Sequence, residues 1–267
     1  MMGQLAMADC ALGIDPSRLV GEESRKTFGL KLKNGFIAKY LSGPNILDIG
    51  YKGYLQDVLP ITPLAIGVDL DYPGYDGKRL PFPEGSQDAV YASHCLEHID
   101  DFEGALRDWF RVLRVGGYLV ITVPHKFLYE KKEELPSNWN GDHKRFYTPA
   151  SLLGEIERSL KPNTYRVRHI EDNDFGYNYG IPPERHSCGC YEIELVVEKV
   201  QAPAWNLLPA AEPVVPRRTL TERSRVAAAL VPFARGVRRQ FAPPGSAREH
   251  FARQIYVPLV NALLQRR

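Results

Sequence analysis

Asn45-Ile46-Leu47-Asp48-Ile49-Gly50-Tyr51-Lys52-Gly53 (NILDIGYKG, 45–53) is the stretch on which the fold turns. NILDI is a short apolar run of strand length, and the glycines after it mark a sharp turn. In an open parallel sheet, ligands sit outside the carboxyl ends of the strands, so this turn is a candidate ligand contact. An acid two residues before the glycine suits a cationic or hydroxyl-bearing ligand, because a carboxylate there repels phosphate oxygens. That argues against a nicotinamide dinucleotide, whose pyrophosphate turn reads GxGxxG. Asp69 lies 21 residues after Asp48, in a second apolar run, LAIGVDL (64–70). A carboxylate at that strand end can accept both hydroxyls of a ribose. Taken singly, either Asp reads equally well as a loop cap; their places on consecutive strands favour a ligand.

Working outward, DAVYAS (88–93) and YLVITVP (118–124) read as further buried strands. Between them Ile99, Phe102, Leu106, Trp109, Phe110 and Leu113 recur every three or four residues, which predicts an amphipathic helix ending at Gly116-Gly117. Strand, helix, strand is a parallel crossover. Upstream, Phe28, Leu32, Phe36, Ile37, Tyr40 and Leu41 predict a helix over 22–42 with Gly35 as its weak point. Downstream, Thr148-Pro149 forms an N-cap and first-turn pair opening a helix that buries Leu152, Ile156 and Leu160. TYRVRHI (164–170) and CYEIELVVEKV (190–200) alternate like paired strands at a sheet edge. The stretch between them, 171–188, is a long loop containing Phe175, Tyr177 and Tyr179.

The whole chain has 267 residues and a formal charge of +2, so no chain-wide basic field attracts nucleic acid, and no nucleic-acid partner is expected. Its 4 cysteines are too few for a secreted disulfide scaffold. No apolar run approaches the roughly 20 residues of a membrane span, and MMGQLAMADC lacks the basic flank of a signal peptide. A cytoplasmic protein is expected. The near-neutral total hides an asymmetry: residues 1–200 hold 23 basic and 29 acidic side chains, whereas 201–267 hold 11 arginines, 3 glutamates and no lysine. An Ala- and Pro-rich passage separates the two parts. The expected organisation is an N-terminal arm (1–19), a catalytic domain (20–200), a linker (201–218) and an Arg-rich helical extension (219–267). Thr219 with Glu222 and Ser246 with Glu249 have capping-box spacing, predicting two helices there, interrupted at Pro232 and Pro258. These helices are expected either to pack on the core or a second subunit, or to hold the protein peripherally at the anionic inner face of the cell membrane.

Four blocks in order, NILDIGYKG, AIGVDLD, RLPFPEGSQDAVYASHCLEHI and LRDWFRVLRVGGYLVITVP, resemble the class I S-adenosylmethionine-dependent methyltransferases, in particular the ubiquinone-type and small-molecule subgroup. The resemblance implies an α/β fold: a Rossmann-like, mostly parallel sheet with an antiparallel edge strand, followed here by the helical extension. It implies S-adenosyl-L-methionine as cofactor, with Asp48 and Gly50 at the methionine-side turn and Asp69 on the ribose. Gly53 completes the loop, Asp76 meets the adenine amino group ahead of Leu80, and Ser93 and His94 line the cofactor. Glu97-His98 matches a motif that is mostly structural. Two departures stand out. Lys52 and Tyr54 occupy places where the family loop carries glycines, and the short distance from Asp71 to Asp76 implies a second helix and third strand that are shortened or lost. DHKRFYTPASLLGEI (142–156) is similar to methyltransferases of surface-polysaccharide biosynthesis. A sugar or glycan precursor is therefore the expected acceptor, ahead of a quinone, lipid or other small molecule; a noncatalytic cofactor-binding scaffold is the reading from another class.

A sugar hydroxyl needs a base, and His125, directly after the strand 118–124, and His143, in the polar DHKR segment, are the candidates. Each also reads as a hydrogen-bonded loop histidine. Asp142 orients His143 only if the loop turns their side chains together, and Tyr147 either packs or meets the acceptor. No metal is expected: His186-Ser187-Cys188-Gly189-Cys190 lacks a fourth ligand, and His94 and His98, four apart on one helical face, lack a further one.

Overall fold

A computed structural model describes residues 13–53, 55, 57–205 and 208. Helix α1 (Glu22–Lys33) and helix α2 (Phe36–Tyr40) replace the single helix expected over 22–42. The break falls at Gly35, whose φ of +78° is open to glycine and closes off the helical path. The strands are β1 (Ile46–Ile49), β2 (Ala65–Val68), β3 (Gln87–Ser93), β4 (Leu113–Pro124), β5 (Tyr165–Asn173) and β6 (Glu192–Lys199), and the remaining helices are α3 (Phe102–Val112) and α4 (Pro149–Ser159).

They form one mixed sheet in the order β2-β1-β3-β4-β6-β5. β1 to β4 are mutually parallel, while β6 runs against both β4 and the edge strand β5. Residues 69–86 form neither helix nor strand, so the unit that the resemblance places there is reduced to a loop. α3 is capped by the Asp101 carboxylate, which accepts from the Gly104 amide at 2.9 Å. It stops at Val112 rather than at Gly116-Gly117, because Leu113 already pairs with Gln87 of β3 and a bulge follows before Tyr118 meets Ala89. α4 begins as expected, with Thr148 and Ser151 forming a reciprocal cap behind Pro149.

The two-residue period of the strands divides the core between the faces of the sheet. Leu47, Ile49, Val90, Ala92, Leu119, Ile121, Ile193 and Leu195 pack with Trp109 of α3 and Leu152 and Ile156 of α4. Ile46, Ala89, Tyr91, Val120 and Val196 pack with Phe28 of α1 and Ile37 of α2. Asp48 alternates with Leu47 and Ile49, and Ser93 with Ala92, so both fall in phase with the α1 side. Glu192 and Glu194 of β6 share that phase with Val196, which brings them to the buried Lys31 of α1. No helix among the described residues is long and apolar enough to cross a membrane. The extension expected over 219–267, with its two helices, lies outside the described residues, as do most of the linker and of the N-terminal arm.

Candidate active site

Two adjoining cavities open at the carboxyl ends of the parallel strands, and Gly50, Lys52 and His94 line both. The smaller is bounded by the first turn of α1 (Gly21 to Ser24), Asp48, Tyr51 and Ser93. No side chain caps the α1 N-terminus, so its amides are available to an anion, while Asp48 and Glu23 supply negative charge beside them. That pairing matches a zwitterionic amino acid. Asp48 is 5% exposed, and its carboxylate accepts from the Ile61 amide at 2.6 Å. Burial pushes its pKa up to about 7, against the opposing effects of that hydrogen bond and of Arg18.

The larger cavity, about 910 Å³, is bordered by Ile49, Asp69, Leu70, Tyr75, Ile99 and Asp108 on one side and by the loop residues Asn140, Asp142 and Lys144 on another. The volume suits a small-molecule site. Asp69 accepts the Lys52 amide at 3.0 Å on one oxygen and the Leu70 amide at 2.8 Å on the other, and its remaining lone pairs stay available for ribose hydroxyls. The glycine-poor loop keeps its shape because Lys52 itself adopts φ +59°. Gly53 is needed for another reason: a Cβ there would lie 2.2 Å from the Tyr51 ring.

The remaining sequence candidates separate. Asp76 turns back on its own loop, accepting from the Lys78 and Arg79 amides, which lower its pKa. Leu80 lies in the core with its amide on Asp108. Their neighbours Tyr75, Gly77, Lys78 and Arg79, not these two, border the cavity. His125 is buried away from both cavities; its Nδ1 accepts from the Phe127 amide at 3.0 Å, and its Nε2 is 3.6 Å from Asp172. It caps the single π-turn over Lys126–Glu130, and burial lowers its pKa. Tyr147 packs in the core and donates to Glu155 at 2.8 Å.

His143 lies against the cavity wall, its ring centroid 4.9 Å from that of the cavity-lining His98. The carboxylate that orients it is Glu130, whose Oε1 is 2.5 Å from His143 Nδ1, rather than the neighbouring Asp142. Glu130 is itself held by the Ser137 hydroxyl at 2.6 Å. His94 and His98 do not share a helical face: His94 sits at φ +50° at the end of β3, and a 3₁₀ turn (Leu96–His98) follows. They flank Glu97 instead, His94 Nδ1 at 3.7 Å and His98 Nε2 at 3.9 Å from its Oε1. Burial disfavours charge on His94, but the 3.2 Å hydrogen bond to Glu192, with Glu97 and Glu23, outweighs it and raises the pKa. Burial, reinforced by His143 and Lys52, lowers His98 to about 4. Burial raises the pKa of Glu97. Glu130 and Glu192 are the residues around the site to which the sequence did not point; the Glu97-His98 motif was visible, but the second histidine beside it comes from a distant loop.

The mixed sheet has an acid at or just past the end of each of its first two strands, beside the two cavities, and the similarities to known proteins support a methyltransferase that uses S-adenosylmethionine. Residues 62–121 match the methyltransferase domain family directly. A probable S-adenosylmethionine-dependent methyltransferase of Mycolicibacterium smegmatis is 28% identical over 187 residues, covering 64% of this chain and 70% of that protein. Phthiotriol/phenolphthiotriol dimycocerosates methyltransferase 1 of Mycobacterium ulcerans is 32% identical over 110 residues, 39% of this chain and 38% of that protein. The ubiquinone/menaquinone biosynthesis C-methyltransferase UbiE of Vibrio cholerae is 34% identical over 67 residues, 25% of this chain and 26% of that protein. The chain thus spans well under half the length of the latter two relatives.

Proposed function

We propose that the protein transfers a methyl group from S-adenosylmethionine to a hydroxyl of a sugar or glycan precursor. The bound cofactor supplies a methyl group on a positively charged sulfur, ready for in-line attack by a nucleophile. The chain's own task is to hold that nucleophile in line, exclude water and manage its proton. Asp48, Glu23 and the α1 N-terminus receive the amino-acid end of the cofactor, and Asp69 receives the ribose. Asn140, Asp142 and Lys144 offer hydrogen bonds to a hydroxylated acceptor from the facing loop.

The observation that carries the hydroxyl reading is the Glu130–His143 pair beside this loop. An imidazole whose Nδ1–H is fixed on a buried carboxylate keeps its other nitrogen free to act on an acceptor proton. A quinone or lipid acceptor is the second reading, prompted by the named activities of the M. ulcerans and V. cholerae relatives.

Isotope-labelled methyl transfer to a panel of nucleotide-linked sugars, quinones and lipids tests both readings. Label in the sugar fraction is expected, with His143→Ala slowing transfer by about 10² to 10⁴ and His125→Ala retaining most of it. Calorimetry with S-adenosylhomocysteine should show both variants binding as wild type does. Label found only in quinones or lipids would overturn the sugar assignment, and equal rates for the two variants would overturn the role of His143.

A further inference from the structure

Next to the cavity-lining His98 lies a buried carboxylate that cofactor binding does not explain. Glu97 has 0% exposure, and neither of its side-chain oxygens has a hydrogen-bond partner in the structure. A buried carboxylate left this way is costly unless a cation or a proton compensates it. Two imidazoles approach it, His94 Nδ1 at 3.7 Å and His98 Nε2 at 3.9 Å from Oε1. One donor atom from each of Glu97, His98 and His143 lies within 4.8 Å of the other two.

The surroundings of His143 are those of a metal-holding imidazole. Such a ring usually donates its second N–H to a carboxylate, which fixes the tautomer and makes the other nitrogen a better ligand. Glu130, 1% exposed and fastened by Ser137, stands 2.5 Å from His143 Nδ1. His98 is the more open member, with 27% of its side chain exposed, and it lines the larger cavity. Asp69, Asp100, Asp101, Asp108 and Asp142 line the same cavity against Lys52, Lys78, Arg79 and Lys144.

We propose that Glu97, His98 and His143 bind one divalent transition-metal ion at the cavity wall, with a coordination position open to the acceptor side. Two imidazoles and one carboxylate suit Zn²⁺, Co²⁺, Mn²⁺ or Fe²⁺ better than Mg²⁺ or Ca²⁺, which take oxygen donors. Bonds of about 2.0–2.2 Å require the three donors to close in by small side-chain movements. The purpose of the site rests on the methyl-transfer reading: an ion with an open position makes a coordinated hydroxyl more acidic, and His143 then serves as ligand rather than as free base.

The test uses the full chain, freed of metal with a chelator and titrated with Zn²⁺ by calorimetry and with Co²⁺ by visible absorption. One equivalent of each is expected, with the intense visible bands of a low-symmetry Co²⁺ site, and Mg²⁺ should not compete. His98→Ala should abolish the site, and Glu130→Gln should weaken it about tenfold to hundredfold. Circular dichroism and S-adenosylhomocysteine binding report whether each variant is folded. Binding well below one equivalent, or binding that survives His98→Ala and disappears in Cys188→Ser, overturns the proposal. Homocysteine-cofactor binding without metal binding removes the ion and leaves the methyltransferase reading standing; the reverse result does the opposite.

Discussion

The side of this site proposed to hold the cofactor and the side proposed to meet the acceptor are built by different kinds of chain geometry. On the cofactor side, Asp48, Gly50, Lys52 and Asp69 come from two neighbouring strand ends, and the contact that ties them, Lys52 amide to Asp69, spans 17 residues. On the acceptor side, His143 is oriented from the π-turn by Glu130, and His94, which borders both cavities, is held by Glu192, 98 residues away. The first region follows from where each strand ends. The second exists only when loops and strands distant in sequence have been packed together, and it carries most of the buried charge. Local geometry therefore shapes the first region, while the second depends on the whole fold.

Lys31 offers the hardest test of that contrast. It is 2% exposed and lies 3.1 Å from Glu194 and 3.7 Å from Glu192, which in turn holds His94. Burial opposes its charge, but Glu192 and Glu194 outweigh this and raise its pKa. Lys31→Met removes the cation and leaves two buried carboxylates, so a loss of about 3–5 kcal/mol is expected. Denaturant unfolding measures it. The exposed pair Arg107–Glu103 provides the contrast, and Arg107→Ala should cost no more than about 1 kcal/mol. Similar losses in the two variants would break the distinction between remote and local assembly.

Asp69→Ala is the corresponding cut on the cofactor side. Two ribose hydroxyls lose a charged acceptor worth about 1.5–3 kcal/mol, so S-adenosylhomocysteine affinity should fall roughly tenfold to hundredfold. Stability should change far less than in Lys31→Met. Calorimetry and unfolding on the same preparation separate the two effects, and an unchanged affinity would remove Asp69 from the site.

The smallest expected effect sharpens the comparison through pH. With its pKa raised to about 7, Asp48 keeps its proton in the folded protein over a range where the unfolded chain has lost it. Its contribution to stability therefore falls as pH rises from the ordinary carboxylate range to about 7. A cofactor ammonium needs the ionised form, so affinity should move the other way, rising about tenfold between pH 6 and pH 8 as the competent fraction grows. Asp48→Asn should flatten this profile. A flat wild-type profile would show that Asp48 does not meet the ammonium.

Some of the acceptor side was legible as residue types but not as a site. Glu97-His98 and the histidine of DHKR stand out in the sequence, yet nothing in their spacing says that a π-turn will deliver Glu130 to His143. His125 and His143 were equal candidates for the same reason. Both follow the strand 118–124 in polar surroundings, and only the path of the chain separates them: His125 turns inward to cap Phe127, while His143 packs on the cavity-lining His98. The end of α3 was misread because Leu113 and its neighbours fit a helical stripe, and pairing with β3 prevailed over that local pattern.

By itself the sequence determined the parallel strands, the helices between them, the α4 cap and the acids at the first two strand ends. These depend on apolar periodicity, turn chemistry and capping, which act over a few residues. Tertiary structure alone decided which histidine packs beside the cavity-lining His98, which carboxylate orients it, and that Lys31 is buried against β6. Those choices depend on the phase in which separate strands and loops pack, and on the free energy of burying charges together, neither of which is encoded in any short stretch of chain.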